Sequence, residues 1–338
     1  MPLKKSTVTI QDVAAAADVS VSTVSRVLNG KDDVSADTLE KVQRIIEELG
    51  YTSSLAAKSM RSRQTNVIGL ITPDVGDSFS IEVMKGVNQG ITQFGYDLIT
   101  YTGGDSTARS WPAREQKYTS LLNGSITDGI IIVAPTALTF STAYPIVAVD
   151  YHPGDADFPT IIATNREGAL SVMNYLIQLG HRRIGFIGGR TDLQSAIRRH
   201  QGYIDGLQQA GIPVDPDLIQ DGNFTMEVGY RCGQHLLGLA DRPTAIFAAN
   251  DQSAFGVIKA AHEMGLKIPD DLSIVGFDNI PETAYHLPVG LTTIDQGLHE
   301  MGRAATEILI KLIKGEEVRE TIYKIPTQLV VRGSCRAI

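Results

Sequence analysis

The sequence predicts an all-α helix-turn-helix headpiece followed by an α/β core of two doubly wound parallel-sheet lobes. Three helical patterns follow one another within the first 50 residues, and from Asn66 onward short apolar strands alternate with amphipathic helices. A chain of 338 residues is also long enough for two or three domains. We therefore expect a headpiece over residues 1–52, a hinge or linker over 53–64 and a core over 65–338.

The first predicted helix begins at Thr9, a good N-cap residue, with an acid three residues later at Asp12. Apolar residues then recur at helical spacing at Ile10, Val13, Ala14 and Ala17. This periodicity indicates a short helix with one buried face.

The second predicted helix follows a three-residue turn and is capped by Ser20. Val24, Val27 and Leu28 face inward, whereas the outer face carries Ser22, Ser25 and Arg26. A third helix begins near Ser35, ends at Gly50 and buries Leu39, Val42, Ile46 and Leu49. A short helix with a small polar outer face and one arginine, placed after such a turn, suits the DNA major groove.

The core pattern is that of a parallel sheet covered on both faces. The predicted strands are Val67–Thr72, Asp97–Tyr101, Gly129–Ala134, Ile146–Asp150, Arg183–Gly188, Ala245–Ala249 and Ser273–Phe277. Helices are predicted near 79–94, 113–123, 166–179, 195–210, 226–239, 252–264 and 296–314. Trp111 falls in a polar loop, 103–112, whose role the sequence leaves open.

Composition excludes several classes of protein. The net charge is -8, but the first 63 residues carry nine Lys or Arg against eight Asp or Glu, so only the headpiece is suited to approach phosphates. No apolar run is long enough to cross a bilayer and no signal-peptide pattern is present, so we expect a cytoplasmic protein without membrane contact. Cys232 and Cys335 lack metal-ligand spacing, and we expect neither a metal nor a cofactor.

The segment Val19–Asn29 closely resembles the helix-turn-helix of the lactose-repressor (LacI/GalR) family of bacterial transcription regulators. Further matches occur at 180–185, 249–251, 275–279 and 291–296, so the resemblance covers essentially the whole chain. It implies a core with the fold of periplasmic sugar-binding proteins. Lobe one would comprise about 65–162 and 291–324, and lobe two about 163–290 and 325–338. It also implies a homodimeric repressor that binds a near-palindromic operator.

The best candidate for reading a base is Arg26, because its planar fork matches the two acceptors on a guanine edge. The resemblance implies that Val21 and Ser22 set specificity at the start of the recognition helix, where valine suits a thymine methyl group. The full set of DNA-binding residues implied by the resemblance is Thr9, Ser20, Val21, Ser22, Thr23, Ser25, Arg26, Asn29, Ala57 and Met60.

Two of those residues lie in the linker, which the resemblance identifies as a hinge helix ordered on operator DNA. Met60 stands where the family has a leucine that wedges into the minor groove, and an unbranched thioether can also unstack a base step. Ser53 and Ser54 replace the usual Pro-Asn pair of the family, which changes the expected stability of this helix.

The resemblance also implies an effector pocket between the lobes. Its expected residues are Phe79, Asp150, Tyr151, Arg199, Phe224, Asn250, Asp278 and Gln296. Carboxylates, an arginine and amides offer donors and acceptors to hydroxyl groups, and aromatic rings suit the faces of a sugar. Asp150, Asn250 and Asp278 directly follow predicted strands, where a doubly wound sheet binds its ligand. We therefore expect a small carbohydrate effector.

Three alternatives remain open at this point. One is a global catabolite regulator that responds to a protein partner, or a purine-sensing repressor, although the purine pattern has a second aromatic and an extra arginine where this chain has Ser80 and Leu193. A transport binding protein would have no use for the headpiece. An enzyme would need a nucleophile and base pair, which the sequence does not display. The sequence fixes neither the identity of the effector nor whether it induces or corepresses.

Overall fold

The computed structural model describes residues 8–28, 33–51, 64–103, 111–122, 126–137, 139–140, 143–151 and 158–338. It divides into two compact units, Met1–Thr65 and Asn66–Ile338. The expectations for Asn29, Ala57 and Met60, and most of the expected hinge, lie outside the described residues. No helix in the described part of the chain is long and apolar enough to span a membrane.

The headpiece is built from helices α1 (Ile10–Ala16), α2 (Val21–Leu28) and α3 (Ala36–Leu49). A capping box starts α1, in which the Thr9 backbone N–H donates to Asp12 Oδ2 at 2.7 Å and the Asp12 N–H donates to Thr9 Oγ1. The three helices pack around a core that contains Val13, Ala17, Val24 and Val42. Leu49 was expected in this core but is 38% exposed, because it lies in the last turn of α3 beside the left-handed cap Gly50.

Lobe one is a six-stranded parallel sheet in the order β11-β5-β4-β3-β1-β2. Its strands are β1 (Val67–Thr72), β2 (Asp97–Thr102), β3 (Gly129–Val133), β4 (Ile146–Val149), β5 (Thr160–Ala163) and β11 (Ile322–Ile325). Its helices are α4 (Ser78–Phe94), α5 (Trp111–Leu122) and α10 (Leu298–Ile313). The apolar faces of α4 and α10 pack on the sheet and bury Val83, Val87, Met301 and Leu309.

Lobe two is a four-stranded parallel sheet in the order β7-β6-β8-β9. Its strands are β6 (Ile184–Ile187), β7 (Ile219–Gln220), β8 (Ala245–Ala248) and β9 (Ser273–Val275). Its helices are α6 (Asn165–Gln178), α7 (Gln194–Gln209), α8 (Met226–Leu237) and α9 (Asp251–Glu263), with short 3-10 turns at Pro216–Leu218 and Pro281–Ala284.

The chain passes between the lobes at three places. It enters lobe two after β5, and the return segments contain an antiparallel pair, β10 (Thr293–Asp295) and β12 (Gln328–Val330). The carboxylate of Asp251 holds β10 against lobe two, accepting from Thr293 Oγ1 at 2.5 Å and from the Ile280 N–H at 3.0 Å. One buried cluster includes residues of both lobes, and smaller clusters lie within lobe two and lobe one.

The sequence missed five strands: β5, β7, β10, β11 and β12. Each has two to four residues, and its place in a sheet depends on pairing with distant parts of the chain. Trp111 also differs from its expected loop position, because it begins α5 and is fully buried, with its ring edge-on to Tyr118.

Candidate functional site

A cavity of about 460 Å³ lies between the lobes, at the carboxyl ends of strands from both sheets. This is where open α/β sheets bind ligands, because the loops and helix N-termini there are free of the hydrogen-bond ladder. We call it the cleft cavity. It is lined by Pro73, Asp74, Gly76, Asp77, Ser78, Phe79, Ser80, Ala134, Asp150, Arg190, Leu193, Ser195, Arg199, Asn223, Phe224, Thr225, Met226, Asn250, Gln252 and Asp278.

Six of the eight residues expected to bind an effector line the cleft cavity: Phe79, Asp150, Arg199, Phe224, Asn250 and Asp278. The other two do not. Tyr151 lies on a separate cavity, with its ring stacked on Phe158 at 5.8 Å between centroids. Gln296 is fully buried behind Arg199 and Asp278, because β10 runs along lobe two at that point. It positions these two side chains rather than facing the cavity.

Arg199 on α7 is the most constrained side chain of the site and is only 3% exposed. Its guanidinium donates to Asn165 Oδ1 at 2.8 Å, the Ala249 carbonyl at 2.6 Å, Asp278 Oδ1 at 3.2 Å and Gln296 Oε1 at 3.3 Å. The guanidinium carbon also lies 3.9 Å from the centroid of the Phe277 ring. Since four of its five N–H donors already have protein acceptors, Arg199 mainly supplies fixed positive charge.

The two strand-end carboxylates are buried and differ in their partners. Asp278 Oδ1 accepts from Arg199 and, at 2.6 Å, from Gln296 Nε2, which leaves Oδ2 without a hydrogen bond among the described residues. Asp150 Oδ2 accepts from Ser195 Oγ at 2.9 Å.

Burial raises the pKa of both carboxyls because it disfavours the charged form. The pKa of Asp278 rises to about 7: burial is the main cause, Arg199 opposes it, and the carboxylates of Asp77 and Asp150 add to it. The pKa of Asp150 rises to about 6, with Arg199 and the Ser195 hydroxyl opposing burial. A ligand with hydroxyl or amine donors therefore meets acceptors whose charge it can stabilise.

Asn250 shapes the cavity rather than offering free hydrogen bonds. Its Oδ1 accepts from the Ser253 N–H and caps α9, while its Nδ2 donates to the Phe224 carbonyl at 2.9 Å. The second bond fixes the loop that carries the Phe224 ring. Phe224 has a φ of 72°, a left-handed conformation that is rare for an aromatic residue and is held here by its surroundings.

The same backbone strain recurs around the cavity. Ala134, Asp150 and Asp278 also have positive φ values, of 44°, 56° and 119°. Ala134 and Asp150 directly follow β3 and β4, Asp278 lies three residues after β9, and all three line the cleft cavity. Strained residues of this kind cluster at ligand sites because the turn aims the side chain inward.

Two contacts join the lobes across the cleft cavity. Ser195 of lobe two donates to Asp150 of lobe one, and Gln252 Nε2 on α9 donates to Ser78 Oγ on α4 at 3.4 Å. Both are single polar bonds, and all four residues line the cleft cavity.

Sequence reasoning did not include Asp77 and Gln252 among the cavity residues. Asp77 caps α4 by accepting from the Ser80 N–H at 3.2 Å, and burial raises its pKa. The sequence does contain a pattern that predicts Asp77: an Asp between the end of a strand and an amphipathic helix. The N-cap of such a helix lies at the carboxyl edge of the sheet, where the cavity is. Gln252 had the weaker signal of lying just after the Asn250 cap.

The headpiece places its candidate DNA-binding residues on the start and outer face of α2. Ser20 caps the helix, accepting from the Thr23 N–H at 3.1 Å and contacting Ser22 Oγ at 2.6 Å, and Val21 is 43% exposed. Arg26 is also exposed and forms an ion pair with Asp33 at 3.1 Å. Thr9 is committed to its capping box, so its side chain stabilises α1.

No group of His, Cys, Asp or Glu in the described ranges is arranged to hold a metal ion.

Comparison with known proteins gives two family matches. Residues 9–54 match the family described as bacterial regulatory proteins, lacI family, and residues 173–335 match the periplasmic binding protein-like domain. The HTH-type transcriptional repressor CytR of Escherichia coli strain K12 is 34% identical over 337 residues, covering 98% of this chain and 97% of that protein.

Solved structures agree with this assignment. The lac repressor dimer bound to operator and the anti-inducer ONPF matches with a TM-score of 0.84 at 27% identity, covering 98% of this chain and 100% of the other. A complex of the transcriptional regulator CelR with cellobiose matches with a TM-score of 0.70 at 28% identity, covering 97% and 99% of the two chains.

Proposed function

The chain belongs to the lacI family of bacterial regulatory proteins, and we propose that it is a homodimeric repressor of a near-palindromic operator, controlled by a small carbohydrate bound in the cleft cavity. As a member of this family, the chain is a transcription regulator and not an enzyme. The operator, the dimer and the carbohydrate are the parts that the proposal adds.

The DNA-binding part of the proposal is supported by the exposed face of α2. Ser22, Ser25 and Arg26 are polar and point away from the buried Val24 and Val27. A helix of eight residues after a tight turn fits the major groove, and two copies related by a two-fold axis read two half-sites. The lac repressor match, a dimer on operator, is the precedent for this arrangement.

The carbohydrate is supported by one observation above all: the cleft cavity combines buried carboxylates with the aromatic rings of Phe79 and Phe224. Asp150 and Asp278 accept hydrogen bonds from hydroxyl groups, and the rings provide apolar faces for pyranose C–H groups. Its volume of about 460 Å³ lies within the usual range for small-molecule sites. The CelR complex with cellobiose is the precedent for a sugar ligand in this fold.

Control of DNA binding follows if the ligand prefers one separation of the lobes. A sugar that replaces the Ser195–Asp150 and Gln252–Ser78 bonds shifts the balance between lobe arrangements by its difference in affinity for them. The shift has to reach the headpieces through the dimer, and reciprocity requires the operator to change sugar affinity by the same factor.

The test is a calorimetric screen of mono- and disaccharides against the wild type, Asp278→Asn and the control Asp270→Asn. Asp278 lines the cleft cavity, whereas Asp270 is an exposed carboxylate that does not. We expect at least one sugar to bind the wild type and the control equally, and Asp278→Asn to bind about tenfold or more weakly, the loss of one charged hydrogen bond. Saturable binding of a nucleobase and of no sugar would overturn the carbohydrate part.

A further inference from the structure

Glu115 lies in the buried stripe of α5, where a helix that packs on a sheet usually carries apolar side chains. The buried residues of this helix recur at helical spacing and are Trp111, Glu115, Thr119 and Leu122. Glu115 has no exposed surface. Because a buried carboxylate is unfavourable unless hydrogen bonds replace its water, the partners of Glu115 explain why an acid is tolerated there.

The carboxylate of Glu115 accepts hydrogen bonds from the loop that follows β3. Its Oε2 accepts from the Ala137 N–H at 2.7 Å, and the two oxygens share the Thr136 N–H, each at 3.1 Å. The Thr136 hydroxyl also donates to Oε2, at 3.2 Å. Burial raises the pKa of the Glu115 carboxyl, and the two N–H groups oppose this rise because they stabilise the charged form. Helix α5 is thereby fastened to two consecutive residues of the loop.

This loop begins at the wall of the cleft cavity. Its first residue is Ala134, which lines the cavity and has a φ of 44°. That left-handed conformation is sterically unfavourable for an alanine, so the turn needs support from its neighbours. Glu115 gives support two and three residues further along, although it is not among the described residues that line the cavity.

The same turn is bonded to the end of β4, which carries Asp150. The Ala134 N–H donates to the Val149 carbonyl at 2.8 Å, one residue before Asp150. Glu115 also lies near the residue that follows Asp150, since burial raises the pKa of the Tyr151 hydroxyl and the charge of Glu115 adds to the rise. A shift of the loop after β3 would therefore reach the Asp150 carboxylate.

From these contacts we propose that Glu115 is a positioning residue of the cleft cavity, which holds the ends of β3 and β4 in the shape that presents Ala134 and Asp150 to a ligand. The carboxylate acts through the loop and touches no ligand itself. This inference deepens the proposed function and rests on it, because the ligand is taken to be the proposed sugar. The hold of Glu115 on the loop can nevertheless be measured without any ligand.

Hydrogen–deuterium exchange of the full-length protein without a ligand tests that hold. Glu115→Leu removes the acceptor of the Thr136 and Ala137 N–H groups, and we expect the amides of 134–137 to exchange about tenfold faster. The control is Thr119→Val in the same buried stripe, which removes only the 2.8 Å bond from the Thr119 hydroxyl to the Glu115 carbonyl within α5. It should exchange like the wild type. Thr136→Val, which removes one donor from the loop, repeats the test with a smaller rise if Glu115→Leu does not fold.

Calorimetry with a sugar found in the screen tests the effect on binding. We expect Glu115→Leu to bind this sugar about tenfold more weakly and Thr119→Val to bind it like the wild type. Glu115→Gln keeps one oxygen, which in the place of Oε2 accepts from both N–H groups, so its affinity should lie within about threefold of that of the wild type. Adding Ala134→Gly to Glu115→Leu should recover part of the lost affinity, because glycine adopts a left-handed turn without support. A purely structural role of Glu115 predicts no such recovery.

Two results would overturn the proposal. One is exchange of 134–137 in Glu115→Leu that equals exchange in the control, which would mean that the carboxylate does not hold the loop. The other is faster exchange with an unchanged affinity for the sugar, which would mean that the loop does not shape the cavity. If no sugar binds the wild type, the carbohydrate part of the proposed function fails instead, and the exchange measurement alone decides whether Glu115 holds the loop.

Discussion

Arg26 is the residue on which we expect DNA reading to depend most. Its ion pair with Asp33 joins two side chains that are more than half exposed, so the pair contributes little and separates readily when DNA approaches. We predict that Arg26→Ala weakens operator binding by about 1–3 kcal/mol, the value of a bidentate contact to guanine. Fluorescence anisotropy with a labelled operator at constant salt measures this.

The matched control for that prediction is Arg44→Ala. Arg44 is an exposed helical arginine on α3 whose partner is Glu48 at 3.7 Å. Equal losses in the two variants would mean that Arg26 acts only through general charge and would remove its role in reading a base.

Asp278 makes folding stability depend on pH. Burial first, with Asp77 and Asp150 adding and Arg199 opposing, raises its pKa from 3.8 to about 7, and Gln296 and Asp251 complete its charged and polar surroundings. The folded chain therefore holds this proton to near neutrality, whereas the unfolded chain releases it near pH 4. The contribution of Asp278 to stability falls as pH rises from about 4 to 7.

The variant Asp278→Asn has no such proton to lose. We predict that its Tm, relative to that of the wild type, rises between pH 5 and about pH 7 and then levels off toward pH 8. Differential scanning fluorimetry in matched buffers gives the two curves. A Tm difference that stays constant across this range would show that the Asp278 carboxyl is ionised throughout.

At the scale of elements, the contact between α4 and α10 determines the stability of lobe one. A Cβ at Gly86 would overlap the carbonyl of His299, and a Cβ at Gly302 would overlap that of Val83. The two helix backbones approach this closely because both positions lack side chains. We predict that Gly86→Ala lowers the free energy of unfolding by at least about 2 kcal/mol, since backbone atoms must move apart.

Urea denaturation followed by circular dichroism measures this loss, with Gly188→Ala as the control. At Gly188 a Cβ would meet the Gln220 carbonyl at 3.6 Å, an ordinary contact, so little change is expected. Equal stability of Gly86→Ala and the control would mean that α4 and α10 are not packed this closely.

Elements differ in how well the sequence predicts them. The strand β1 has its predicted bounds, Val67–Thr72, because six residues form a buried run between Asn66 and Pro73. The strand β5 was missed although all of it is buried, since four residues carry no period and its pairing with β4 and β11 depends on distant parts of the chain.

The same distinction applies to the cleft cavity. Asp150 and Asp278 were predictable because the end of a strand marks the edge of the sheet where they lie. The position of Gln296 behind Arg199 could not be predicted in this way. The burial of Gln296 depends on how β10 packs against lobe two, a long-range contact that the Thr293–Asp251 hydrogen bond helps to fix. The sequence also offers Asp77 as a helix N-cap, but an N-cap position by itself does not predict that a residue lines the cavity.

At the scale of the whole molecule, the core consists of two lobes that share a buried apolar cluster and are bridged across the cleft cavity by single polar bonds. Smaller buried clusters belong to single lobes, but the largest one contains residues of both sheets, and the hydrogen bonds across the cleft cavity include Ser195–Asp150 and Gln252–Ser78. Exchanging such single bonds for contacts with a ligand takes little free energy. We therefore expect a ligand that exchanges these bonds for its own to shift the lobes.

The most direct test of the account is the affinity of the full-length protein for its operator, measured by anisotropy with and without a saturating sugar found in the calorimetric screen. The account predicts that the sugar changes the operator Kd by about fivefold or more, the usual range of allosteric coupling, and that Asp278→Asn loses the change at the same sugar concentration. An operator Kd that is identical with and without a sugar bound in the cleft cavity would contradict it.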